Sequence, residues 1–162
     1  SLQGTIENNQ LIIDLLHQEQ SNLKKEQENK KRQIEEREQS IADLKKEKQR
    51  LLNWLLEQSN IYKRVITLSK QTVSNKKAMK VLTTAEQDQL KKTIFEIYHD
   101  YISFLQEKYS KLTESDLLYL CLQETSLDSQ SIAICFGYSD THPLSQKKYR
   151  IKERMIEEKS KM

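Results

Sequence analysis

The stretch "CFGYSDTHPLSQKKYRIKERM", residues 135–155, contains one of the two glycines and the only proline of the 162-residue chain. Gly137 stands where a helix must stop and reverse, a place that favours a residue free to take positive φ. Asp140 and Thr141 offer capping oxygens for the next helix, and Pro143 is tolerated in its first turn. This stretch therefore predicts a short helix, a tight turn and a longer helix, which is the helix-turn-helix arrangement.

The longer helix divides into an inner and an outer face. Leu144, Ile151 and Met155 recur at helical spacing, so we expect them to point inward. The outer face carries short polar, amide, aromatic and cationic groups. Polar and amide side chains read base edges in the major groove of DNA, whereas cations contact the phosphates on either side. The residues expected to point outward are Ser145, Gln146, Tyr149 and Lys152, with Lys147, Lys148 and Arg150 on either side of them.

Charge is unevenly distributed near the end of the chain, where an acidic segment is followed by a basic one. Residues 142–162 carry seven Lys and Arg against three Asp and Glu, whereas residues 113–141 carry five acidic groups and no basic one. The whole chain has a net charge of only +3, which does not by itself indicate a nucleic-acid partner. Taken alone, the basic helix is equally consistent with a solvated surface.

The composition predicts an all-α protein. Hydrophobic residues make up 36% and charged residues 31%, and two glycines with one proline leave almost no turn chemistry for hairpins. No apolar run approaches the ~18 residues of a membrane span, so we expect none in this chain. Cys121 and Cys135 lie in apolar helical patterns and are interpreted as core residues in a reducing compartment.

Residues 6 to about 58 repeat every seven positions, as the a and d seats of a coiled coil do. The repeat is polar in its middle, through Gln27, Lys30 and Arg37. About fifty residues of helix reach roughly 75 Å and cannot bury this stripe alone. We therefore predict a homodimer, and the sequence alone does not decide whether its helices run parallel or antiparallel. The alternative is a charged helix without a stable partner. The predicted contacts are Ile6, Ile13, Leu16, Leu23, Ile34, Ile41, Leu44, Leu51 and Leu55.

The middle of the chain predicts further helices. The apolar pattern broadens over residues 51–68, where we expect the rod to meet globular packing. A capping box at Thr83 or Thr84 opens one helix that carries apolar positions from Leu90 to Leu105. Thr113 and Asp128 then cap two more helices. We predict three parts: a coiled coil at 1–58, a helical connector at 59–108 and the terminal domain at 109–162.

These residues resemble a known family. The segments "LTESDLLYLCLQ", Ile132–Ala133, Gly137 and the closing "YRIKERM" are similar to the LuxR-type, or GerE-like, DNA-binding domain. The nearest likeness is to regulators of Bacteroidetes with tetratricopeptide repeats, a membrane helix and a coiled coil upstream. The resemblance implies that the last helix enters the major groove and that dimers read paired half-sites. It also implies that Ser145, Gln146 and Tyr149 face the bases, and that Lys147, Lys148, Arg150 and Lys152 face phosphates.

Two functions follow from this reading. The first is a DNA-binding transcriptional regulator, with double-stranded DNA and a second copy as partners and the cytoplasm as its location. Because the chain begins with Ser rather than Met, two interpretations stay open: the C-terminal fragment of a longer protein, such as the cytosolic part of a membrane-anchored regulator, or a chain that carries a tag remnant. The alternative is a coiled-coil interaction scaffold whose helix-turn-helix does not bind DNA.

We do not expect an enzyme, a cofactor, a metal site or a small-molecule substrate. The sequence has no glycine-rich phosphate loop and no His and Cys cluster with metal-ligand spacing. His17, His99 and His142 lie in three different segments, so helical spacing cannot assemble them into one site.

Overall fold

The structure is a computed structural model that describes residues 1–72 and 75–160, with the backbone alone for Lys76 and residues 157–160. Within these ranges the fold is all-α, as the composition predicts, and contains no strand. Residues 73–74 and 161–162, in the predicted connector and terminal domain, lie outside the description. The described helices are α1 (Leu2–Glu57), α2 (Asn60–Ser69), α3 (Thr84–Ile97), α4 (His99–Lys108), α5 (Glu114–Gln123), α6 (Ser129–Cys135) and α7 (His142–Ser160), with a 3₁₀ turn at Lys76–Ala78.

Internal packing divides the chain into two units, which we call unit 1 (Ser1–Lys48) and unit 2 (Gln49–Met162). Unit 1 consists of α1 residues preceded by Ser1, whose Oγ accepts a hydrogen bond from the Gly4 N–H at 3.2 Å. All residues of unit 1 are described, and none of their side chains is buried. This unit therefore has no core of its own.

Unit 2 takes in the last turns of α1 and the predicted connector together with the terminal helices. Leu56, near the end of α1, is buried in the same cluster as α2, α3, α5 and α6 side chains. The predicted boundaries at 58 and 108 therefore both fall inside one packed unit. The physical reason is that the broad apolar face after residue 51 continues into a shared core, which a heptad count does not register.

Helix α2, in the predicted connector, packs against the predicted terminal domain. It packs against α6, and Val65 of α2 and Ile134 of α6 are both fully removed from water. Each such aliphatic side chain contributes about 1.5–3 kcal/mol by burial. Ser69 Oγ also donates to Ser131 Oγ at 2.8 Å, which satisfies a buried hydroxyl of α6. Helix α6 is thus held from behind by a segment distant in sequence.

The predicted helix through Leu90 and Leu105 is in fact two helices, α3 and α4, that meet at Tyr98. Tyr98 has a backbone conformation of φ −99° and ψ 29°, outside the regular helix. Its ring is 1% exposed, and its hydroxyl donates to Asn53 Oδ1 at 2.6 Å. Because neither glycine nor proline marks the break, a sequence pattern reads straight through it.

Local capping fixes where the helices of unit 2 begin. Thr83 and Glu86 form a capping box at α3, which decides between the two threonines considered from sequence. Thr113 and Asp116 form the corresponding box at α5, and Asp128 accepts from the Ser131 N–H at α6. Each side chain satisfies an N–H that the first turn of a helix leaves free.

Candidate nucleic-acid interface

The turn between α6 and α7 is built as the sequence predicts. Gly137 has φ +81°, and its N–H donates to the Ile134 carbonyl at 3.1 Å. The Tyr138 N–H donates to the Ala133 carbonyl at 2.9 Å, so two of the last carbonyls of α6 are satisfied in a Schellman motif. Asp140 Oδ1 then accepts from the His142 N–H at 2.9 Å, at the start of α7.

The inner face of α7 anchors it to the rest of unit 2. Leu144 and Ile151 are buried and Met155 is half-buried, as predicted. An ion pair adds a second attachment: Arg154 Nη1 donates to Oδ2 of Asp116, whose residue is 2% exposed. Asp116 also accepts from the Thr113 N–H at 2.9 Å. One carboxylate therefore caps α5 and fixes the orientation of α7.

The outer face of α7 exposes all three residues that the sequence assigned to bases. Ser145, Gln146 and Tyr149, together with Arg150, line a shallow depression along the helix. Tyr149 is 64% exposed. A hydrogen bond with Glu153 raises the pKa of the Tyr149 phenol, so this ring is held beside a carboxylate. These groups can donate and accept hydrogen bonds, as base edges require.

Three of the four predicted phosphate contacts are exposed cations. Lys148, Arg150 and Lys152 have solvent-facing side chains. Lys148 borders a polar cleft of about 230 Å³ between α5, α6 and α7, which Ser129 and Thr141 also line. Arg150 borders a second cleft of about 200 Å³ on the other side of α7. Cations therefore flank the polar outer face on both sides.

Lys147 differs from its neighbours. Its Nζ donates to Ser115 Oγ and lies 4.9 Å from the centroid of the Phe136 ring. Burial lowers the pKa of its ammonium group, although the charge of Asp116 acts in the opposite direction. The structure thus brings Lys147 into the packing between α5 and α7, because its stem is long enough to cross the cleft. It does not share the solvent-facing position of Lys148, Arg150 and Lys152.

Sequence reasoning missed three residues that shape this surface. Arg154 orients α7, Ser115 holds Lys147, and Glu153 puts a negative charge on the outer face. Arg154 and Asp116 lie 38 positions apart, and no local pattern joins them. Glu153 could have been noted, since it follows Tyr149 by one helical turn.

The nine predicted dimer residues line α1 and are exposed, with relative exposures from 42% for Leu55 to 69% for Leu44. Seven of them belong to unit 1, whereas Leu51 and Leu55 belong to unit 2. Such a row of exposed aliphatic side chains is unusual on a protein surface and typically marks a contact with another protein.

The described residues contain neither a candidate metal site nor a candidate membrane span. No group of three or more His, Cys, Asp and Glu there could hold a metal ion. No helix in those ranges combines the length and apolar character needed to cross a bilayer. Cys121 and Cys135 are free and buried, and burial raises the pKa of each thiol to about 12.

Comparisons of the chain with protein-family models, with curated proteins and with solved structures found no match.

Proposed function

We propose that this chain acts as a DNA-binding transcriptional regulator of the LuxR type. In this proposal α6, the turn at Gly137 and α7 form a helix-turn-helix, and α7 enters the major groove. One observation carries the proposal: α7 is anchored by its inner face while its outer face, with Ser145, Gln146 and Tyr149, is free to meet another molecule.

The chemistry of the outer face suits a duplex. The major groove is about 12 Å wide and admits an α-helix, whose amide and hydroxyl groups then reach base edges. Gln146 pairs well with adenine, and the exposed Lys148, Arg150 and Lys152 suit phosphates on either side. Lys147 is left out of this set because it is engaged with Ser115 and Phe136.

The exposed heptad residues of α1 support a homodimer formed by a coiled coil. A dimer would contain two copies of unit 2, and two copies of α7 suit a DNA site made of paired half-sites. We propose a cytoplasmic place of action, because the two cysteines are free and DNA is found there. The proposal requires no enzymatic activity, no cofactor and no small-molecule substrate.

The test is duplex binding measured over a range of salt concentrations. We expect binding that weakens steeply with salt, by roughly one unit of log–log slope for each phosphate contacted. Changing Lys148, Arg150 and Lys152 together to Gln should abolish most of it. The matched control changes Lys63, Lys77 and Lys92, which are exposed elsewhere in unit 2, to Gln and removes the same charge.

Equal losses in the two triple variants would mean that net charge, and not α7, attracts DNA. Absence of binding to any duplex, including the promoter of its own gene, would favour the scaffold alternative, in which α1 alone is the working part. That alternative predicts that neutralising α7 leaves function intact.

A further inference from the structure

The last turns of α1, which belong to unit 2, have two faces of different character. One face packs on the rest of unit 2: Leu56 is buried, and Asn53 accepts a hydrogen bond from the Tyr98 hydroxyl at 2.6 Å. Gln49 Nε2 on the same face donates to the Glu124 carbonyl at 3.4 Å. This side of the helix is therefore already occupied.

The other face, which we call the outer α1 face, consists of Leu51, Trp54 and Leu55. These side chains are 56%, 54% and 42% exposed, although they are among the most apolar in the protein. Three large apolar groups within five residues form one contiguous patch, and such patches mark interaction sites. Trp54 lies within residues 51–68, where the sequence predicts that the rod meets globular packing, but its side chain points away from the core.

We propose that the outer α1 face packs against the same face of a second copy, in a parallel, in-register pair, with Trp54 beside the partner's Leu55. This inference rests on the proposed dimer and adds its direction and a residue that the heptad rows do not contain. Leu51 and Leu55 are the last apolar d and a seats of those rows, so the patch continues the predicted seam. Trp54 directly precedes an a seat and flanks it.

Charges beside the seam favour the parallel direction. In a parallel pair, a residue just before an a seat faces the partner residue five positions further along. Glu19 would then face the partner's Lys24, and Glu26 the partner's Lys31, with each pair formed twice. The charged seats, such as Lys30, would meet their own copies, but their long side chains reach water at the edge of the seam.

An antiparallel pair is the arrangement to exclude. Placing Ile6 opposite the partner's Leu51 also aligns apolar seats with apolar seats along the whole of the repeat. It brings Lys24 of one chain close to the partner's Lys31, however. The Glu–Lys attraction of the parallel pair is then replaced by repulsion between two lysines. In that pairing Trp54 would lie near the other end of the partner helix and far from the partner's Leu55.

Disulfide trapping in the full chain separates these arrangements. Cys121 and Cys135 are buried with raised pKa values, so an introduced exposed cysteine reacts selectively. Leu51→Cys should form a covalent dimer with itself, because a shared layer brings the Cα atoms within disulfide reach of about 6 Å. Glu57→Cys, about 120° around the helix, is the matched control and should cross-link slowly.

Covalent dimer in a mixture of Leu51→Cys and Ile6→Cys, without the self-linked Leu51→Cys product, would overturn the proposal in favour of the antiparallel pair. Failure of Leu51→Cys to cross-link faster than Glu57→Cys would overturn it as well. Neither outcome depends on DNA, so binding of a duplex by the same preparations tests the proposed function separately.

Trp54 supplies the second readout, because it is the only tryptophan in the sequence. Its emission should shift to shorter wavelength as protein concentration rises and the ring leaves water. Trp54→Ala should weaken self-association about tenfold. Phe104→Ala, which removes an equally exposed aromatic ring from α4, should change it less than twofold. Equal effects of the two changes, or emission independent of concentration, would contradict the proposal.

Discussion

Units 1 and 2 contain the same kinds of apolar side chain in opposite situations. Leu23 in unit 1 is 53% exposed, whereas Leu90 in unit 2 is 1% exposed. Unit 2 closes a core from several short helices. Unit 1 is a single helix whose stripe stays in water until a partner covers it. The difference teaches that unit 2 buries its apolar side chains within one chain, whereas in the proposed dimer the stability of unit 1 depends on protein concentration.

The largest expected effect comes from shortening a leucine in each unit. Leu90→Ala should lower the free energy of unfolding of unit 2 by about 3 kcal/mol, from lost burial and a residual cavity. Leu23→Ala should act only through association. Denaturant unfolding followed by circular dichroism at two protein concentrations tests this. A Leu23→Ala effect that is the same at both concentrations would break the comparison.

The next effect concerns the ion pair that orients α7. Asp116→Asn should destabilise unit 2 by about 2 kcal/mol, because it removes a buried charge from its Arg154 partner, which is itself a third exposed. Asp88→Asn makes the same change of charge on an exposed part of α3 and should stay within about 0.5 kcal/mol of the wild type. Thermal unfolding measures both; similar values for the two would show that the pair contributes nothing.

The two glycines should respond to alanine with opposite signs. Gly137 has φ +81°, and an added Cβ would lie 2.7 Å from Gln87 Nε2, so Gly137→Ala should cost about 1–2 kcal/mol. Gly4 sits inside α1 with space around it, so Gly4→Ala should stabilise the helix by about 0.5–1 kcal/mol. Denaturant unfolding measures the first effect, and helicity by circular dichroism measures the second. A neutral Gly137→Ala would contradict the turn geometry.

The smallest effect is a pH dependence confined to unit 2. Hydrogen bonds from Ser131, first of all from its backbone N–H, hold the pKa of Asp128 below its ordinary 3.8. A carboxylate with a depressed folded pKa contributes stability above the unfolded pKa and loses it as pH falls through the folded value. Stability should therefore decline below about pH 4. Asp128→Asn keeps the cap and should reduce that decline; an unchanged pH profile would refute the assignment.

The sequence predicted what depends on local chemistry. The caps at Thr113 and Asp128, the positive φ of Gly137 and the inward Leu144 and Ile151 all follow from spacing and residue type. Contacts between distant segments were not predictable in this way. Tyr98 breaks a helix where no breaker stands, and its hydrogen-bond partner Asn53 is 45 positions away.

The same limit applies to the candidate interface. Periodicity separated the inner from the outer face of α7 correctly, because helical spacing alone decides it. It could not tell Lys147 from Lys148, since only the tertiary positions of Ser115 and Phe136 draw one of two adjacent lysines inward. Long cationic side chains can bend toward a cleft or toward water, and the backbone position does not fix which.

These adjacent lysines give the most direct test of the claim that the outer face of α7 binds DNA. Lys147→Met and Lys148→Met remove the same charge and keep similar stems. The measurement is the slope of the logarithm of duplex affinity against the logarithm of salt concentration. The account predicts a slope about one unit shallower for Lys148→Met and unchanged for Lys147→Met. Equal slopes in both variants and the wild type, or a change at Lys147 alone, would contradict it.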